Sequence, residues 1–117
     1  MSTNDTQRPA GLGKRGRAFY EAVTGDLELE PHEHALLAET CRVLDRLEAL
    51  DITIRRDGMT LPDGRINPVV TEARLQAVTL ARIVASLRLP DEYRAEVLDR
   101  GQRRGAARGT YHLKAVP

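Results

Sequence analysis

Apolar residues recur along this chain at helical spacing in several stretches, and the breaks between them fall at Gly and Pro. Ala18, Phe19, Ala22 and Val23 share one helical face, which predicts a short helix over residues 14–23, stopped by Gly25. Pro31 suits a first helical position, and Glu33 lies in the first turn, where negative charge meets the positive end of the helix dipole. The stripe Leu37, Ala38, Cys41, Leu44 and Leu47 then predicts a second helix ending near Leu50, with Arg42, Asp45, Arg46 and Glu48 on its wet face. Asn67 and Pro68 form the clearest start signal, a side-chain cap followed by a residue preset for the first turn. Leu75, Val78, Leu80, Ile83, Val84 and Leu87 follow, interrupted by Arg74 and Arg82, and Pro90 closes this third helix. Its apolar arc widens toward the C-terminal half, which suggests burial on two sides, against the second helix and a neighbouring subunit. Leu80, Ile83, Val84 and Leu87 are therefore the expected core and oligomer contact. Asp91 and Glu92 open a fourth helix through Val97 and Leu98.

Between the second and third helices the pattern changes period. Ile52-Thr53-Ile54-Arg55-Arg56 alternates and is rich in β-formers, Asp57-Gly58 is a hairpin turn signal, and Met59-Thr60-Leu61 follows it. Pro62-Asp63-Gly64 marks a second turn. This reads as a short hairpin, with an irregular loop as the alternative. The predicted fold is mainly α: an antiparallel long-helix hairpin with a short N-terminal helix and a small β-hairpin-like insert. Residues 1–12 read as a disordered arm, 13–99 as the helical core and oligomerisation domain, and 100–117 as a flexible basic tail, where Gly101, Gly105 and Gly109 disfavour helix.

Composition adds a reason to assemble. The 117-residue chain is 41% hydrophobic but has one Phe, three Tyr and no Trp, so Leu, Val, Ile and Ala must fill the core. A small domain keeps much of its surface exposed, and association is a remedy. The single Cys41 excludes an intramolecular disulfide and suits a reducing compartment. The polar start and the lack of any long apolar run predict an intracellular protein without a membrane segment. Net charge is +1, yet residues 18–93 hold eight basic and fourteen acidic residues, so an acidic body sits between basic ends. Basic ends attract polyanions, or simply keep a protein soluble.

Candidate chemistry is sparse. His32 and His34 point about 200° apart on a helix, so they share no face for a metal. Residues 11–16, Gly-Leu-Gly-Lys-Arg-Gly, lack the spacing of a phosphate loop and follow no strand. Lys14, Arg15 and Arg17 there can touch nucleic-acid phosphates, or serve only as a helix lead-in. Arg55 and Arg56 can reach a backbone, or be neutralised by Asp51 and Asp57. Arg100, Arg103, Arg104 and Arg108 form the strongest cationic group, suited to phosphates without base-specific geometry, or to docking another protein. No nucleophile–base–acid set is present, so neither an enzyme nor a cofactor is expected.

Several stretches in order resemble the small terminase subunits of tailed bacteriophages, specifically the P27-like family. They are the Gly-rich lead into Phe19-Tyr20-Glu21-Ala22-Val23, Leu27-Glu28-Leu29 before Leu36-Leu37, Cys41-Arg42, Gly64-Arg65-Ile66-Asn67-Pro68, and Leu87-Arg88-Leu89-Pro90. The resemblance covers roughly residues 11–90. Phe19-Tyr20 stands where such proteins often carry Leu-Trp, and Arg88 where Gly is more usual. The resemblance implies a ring of about eight to twelve copies with closed cyclic symmetry. It also implies that the ring binds viral double-stranded DNA at the packaging-initiation site and regulates the ATPase and nuclease of the large terminase subunit. The implied location is the host cytoplasm, outside the mature virion. Two other readings stand beside it. A small dimeric helical DNA-binding regulator would need a helix-turn-helix, against which the 16-residue spacing and acidic second helix argue. A scaffold that binds only protein would show no salt-dependent DNA affinity.

Overall fold

A computed structural model describes residues 8–98 and Lys114. Four helices follow one another: α1 (Lys14–Asp26), α2 (Pro31–Asp57), α3 (Pro68–Leu87) and α4 (Asp91–Leu98). The protein is mainly helical, and among the described residues no strand forms. No helix among them is long and apolar enough to cross a membrane.

Local signals explain most helix boundaries. Glu30 precedes Pro31, and its N–H donates to the Glu33 carboxylate at 2.6 Å, so an acidic side chain folds back over the start of α2. The Asn67 side chain accepts from the Val69 N–H at 3.0 Å and donates to the Gly58 carbonyl at 2.9 Å. One buried amide thus caps α3 and ties it to the end of α2. Arg88 ends α3 in the left-handed conformation, φ 57°, with its N–H on the Val84 carbonyl at 3.0 Å. The Gly expected at this place would adopt that conformation without its Cβ penalty.

Two expectations need correction. The helix α1 continues through Gly25 to Asp26, and its end is set by the Leu27 N–H bonding the Val23 carbonyl at 2.9 Å. More substantially, Ile52-Thr53-Ile54-Arg55-Arg56 is the last part of α2, which runs to Asp57. β-Branched residues lower helix propensity only slightly, and a helix already packed along its length carries them. Arg55 reaches back one turn to Asp51 at 3.1 Å, and the Thr53 hydroxyl donates to the Ala49 carbonyl at 3.1 Å. Gly58, at φ 90°, then stops the helix, so Asp57-Gly58 is a helix terminus and not a hairpin turn. The β-like feature lies later and is smaller: one antiparallel bridge, Thr60 to Ile66, closed by the turn that contains Pro62, Asp63 and Gly64.

The core gathers at one end of the long helices. Phe19, Tyr20 and Val23 of α1, with Leu27, meet Leu37, Cys41, Val43 and Leu44 of α2. Leu80, Val84 and Leu87 of α3, then Leu89, Tyr93 and Val97, complete it. Ile83 and Leu47 are partly buried against this cluster. Of the apolar positions expected on α3, Leu75 and Val78 stay exposed, at 49% and 42%. Lys114 is also anchored at this end: its backbone N–H donates to the Asp26 carbonyl at 2.9 Å, and its ammonium to the Thr24 carbonyl. Cations suit the end of a helix, where carbonyls lack partners. The tail expected over residues 100–117 otherwise lies outside the described residues.

Candidate nucleic-acid interface

The first turn of α1 concentrates positive charge. Lys14, Arg15 and Arg17 all lie within it or directly after it, and no acidic residue accompanies them. That is the positive end of the helix dipole, so cations there repel the dipole as well as one another. The compensating anion comes from α2. Asp45 accepts the Gly13 N–H at 2.6 Å and the Gly16 N–H at 2.7 Å, supplying two otherwise unsatisfied donors with one carboxylate.

This clamp explains the glycines. A Cβ on Gly16 would lie 2.5 Å from Asp45 Oδ2 and 2.6 Å from the Cys41 carbonyl oxygen, and one on Gly13 would lie 3.1 Å from Asp45 Oδ1. These two glycines let the lead into α1 press against α2. They also account for the faint likeness to a phosphate loop. The backbone donors do face an anion, but that anion is the protein's own Asp45. The Gly13 and Gly16 amides are therefore not available to an outside anion.

Of the side chains on this turn, Lys14 and Arg17 are exposed and have no ion pair among the described residues. Arg15 is 3.9 Å from Glu48, at the edge of an ion pair. Arg8, just before the helix, pairs with Glu21 at 2.7 Å and lines, with Arg17, a small polar hollow of about 160 Å³. Arg55 and Arg56 lie elsewhere, about 15 Å along α2 from Asp45 at 1.5 Å per residue. Both are neutralised locally: Arg55 by Asp51 at 3.1 Å, and Arg56 by two bonds to Asp57 at 2.8 and 2.9 Å. That bidentate contact holds the Asp57 carboxyl below its usual value and raises the Arg56 guanidinium. Arg100, Arg103, Arg104 and Arg108 lie outside the described residues. The structure thus brings together Lys14, Arg15 and Arg17, and sets Arg55 and Arg56 apart from them.

Other ionisable groups belong to the packing. Burial pushes the Cys41 thiol up to about 12, helped by the Asp45 charge, so it is a small apolar filler rather than a nucleophile. His32 is exposed, whereas His34 lies against the Tyr20 ring, centroids 6.4 Å apart. Burial, with Lys114 nearby, lowers the His34 imidazole below its ordinary value. Tyr93 donates to Asp26 at 2.6 Å, tying α4 to the end of α1, and burial raises its phenol. Among the described residues no group of three or more His, Cys, Asp or Glu could hold a metal ion. Asp45 is the residue that sequence reasoning misses, because its place on the wet face of α2 gives it no distinction. The Gly13 and Gly16 spacing is its only signal. Neither a protein-family model, nor a curated protein, nor a solved structure matches the chain.

Proposed function

We propose that this chain is the small terminase subunit of a tailed bacteriophage or prophage. In this reading the two long helices form an antiparallel hairpin, and copies assemble into a ring that binds viral double-stranded DNA at the packaging-initiation site. The ring regulates the ATPase and nuclease of the large subunit. The observation that carries it is one turn of α1 bearing Lys14 and Arg17 without counter-ions among the described residues, beside long helices that leave apolar residues uncovered. The order of sequence stretches shared with the P27-like family supports the same reading.

The physical logic is avidity. Two or three free cations bind DNA weakly, but linked copies turn later contacts into intramolecular events, raising affinity by about 10²–10⁴. DNA binding of the full chain, measured at several salt concentrations beside its mass in solution, tests this. The expected result is an assembly of about eight to twelve copies, with affinity falling as salt rises. Replacing Lys14 and Arg17 by Ala should reduce the log–log salt slope by about 0.9 for each phosphate no longer neutralised. Salt-independent or undetectable DNA binding would leave a protein-binding scaffold; a salt-dependent dimer would favour the small helical regulator.

A further inference from the structure

The first turn of α1 has little local reason to be helical. Its N-cap, Gly13, has no side chain to cap with, and no acidic residue lies in the turn. Gly16 is among the poorest helix formers. Lys14, Arg15 and Arg17 crowd positive charge onto the positive end of the helix dipole. What holds the turn comes from another helix. Asp45 of α2 accepts the Gly13 N–H at 2.6 Å and the Gly16 N–H at 2.7 Å, and the Arg17 N–H then closes onto the Gly13 carbonyl at 3.0 Å. The same helix takes up one of the three cations, since Glu48 is 3.9 Å from Arg15. Lys14 and Arg17 are left exposed, without an ion pair among the described residues.

We propose that Asp45 is a positioning residue for polyanion binding: by clamping this turn it holds Lys14 and Arg17 side by side, so that both meet the phosphates of one DNA backbone together. This role rests on the DNA-binding reading above and gives part of it to a side chain that itself repels DNA. Residues three apart on a helix are neighbours, with Cβ atoms about 5–6 Å apart. On a frayed turn that spacing is lost. Binding must then order the backbone as well as two long side chains, and affinity falls by that entropy.

The sign of one effect separates positioning from a purely structural role. Asp45 is an anion directly behind the cationic turn. Were it only a packing device, removing its charge would leave the turn more positive and DNA would bind more tightly. A positioning role predicts weaker binding in spite of that gain in charge. Asp45→Asn makes the comparison, because the amide keeps the shape of the carboxyl but has one oxygen to accept and an NH₂ that meets the second backbone donor unfavourably. Gly13→Ala perturbs the same clamp with every charge in place. Its Cβ would lie 3.1 Å from Asp45 Oδ1, so the carboxylate must give way by a few tenths of an ångström. Alanine is also a poorer N-cap than glycine.

The test measures binding of the full-length chain to a mixed-sequence DNA duplex at one low salt concentration, by fluorescence anisotropy. Asp45→Asn should weaken binding about tenfold, as expected when two long side chains lose their order. Gly13→Ala should weaken it less. Placed in the Lys14→Ala/Arg17→Ala background, Asp45→Asn should cause no further loss, because Asp45 acts through those two side chains. Amide hydrogen exchange gives the matching structural readout: in Asp45→Asn the Arg17 amide should lose protection while the buried Leu44 on α2 keeps it. Binding by Asp45→Asn that equals or exceeds the wild type would overturn the positioning role and leave the DNA reading standing. So would an equal loss in the background without Lys14 and Arg17, or an Arg17 amide that stays protected. A wild type that does not bind the duplex would overturn both. Should Asp45→Asn unfold the chain, Gly13→Ala carries the same comparison in both backgrounds, and its unchanged affinity would overturn the role.

Discussion

The two ends of the long helices make an instructive contrast. At the inner end, Leu37, Cys41, Val43 and Leu44 of α2 and Leu80, Val84 and Leu87 of α3 are all sealed by α1, α4 and Leu89. At the outer end, the same two helices leave Ile52 and Leu75 about half exposed. Residue type does not separate the two, since apolar aliphatic side chains occur at both. What differs, among the described residues, is whether a third element lies on the pair. Stability is therefore concentrated at the inner end.

The sharpest way to break the contrast is Gly16→Ala. Its Cβ would press into the Cys41 carbonyl and the Asp45 carboxylate, forcing α1 off α2. Thermal or urea denaturation should show a loss of about 3 kcal/mol, at the upper end for overpacking. A comparable surface change at the outer end, Leu75→Ala, should move the unfolding of a monomeric background by no more than about 0.5 kcal/mol. Equal losses at both sites would erase the distinction.

A gain is expected at the α3 terminus. Arg88 bears the left-handed penalty, and Arg88→Gly should stabilise by about 1 kcal/mol, read as a higher melting temperature. The smallest effect concerns acid. The folded state holds the His34 imidazole below its ordinary value of 6.5, so the unfolded chain binds the proton more readily. Stability from this group is full above about pH 6.5 and falls as pH drops through that value toward the lower folded one. His34→Gln should flatten the pH dependence of the melting temperature in that window and leave it unchanged well above it.

Features written in neighbouring residues are legible in the sequence alone. Asn67-Pro68, Pro31 with Glu33, and Pro90-Asp91 each mark a helix boundary through interactions spanning only a few residues, and each boundary falls there. Ile52-Thr53-Ile54 misleads because a short β-branched run carries the same local signal in a strand as at the end of a packed helix. What keeps it helical is the continuous ladder of α2 and the stop at Gly58. The Asp45 clamp is illegible for another reason: its partners lie 29 and 32 residues away, and nothing near Asp45 announces them. On the candidate interface, the clustering of Lys14, Arg15 and Arg17 follows from their adjacency. The neutralisation of Arg55 and Arg56, one of the two readings their neighbours allow, depends on side chains within one turn.

The amide that joins the outer ends of the long helices has a chemical consequence. Asparagine side chains age by deamidation when the backbone nitrogen of the following residue attacks the amide carbon and closes a succinimide. Here the following residue is Pro68, whose ring nitrogen carries no proton to release. Asn67 is also buried, with its oxygen on Val69 and its nitrogen on Gly58. The residue whose conversion to Asp would remove the donor to Gly58 is thus shielded from the usual route to that conversion, and the joint should last as long as the chain around it.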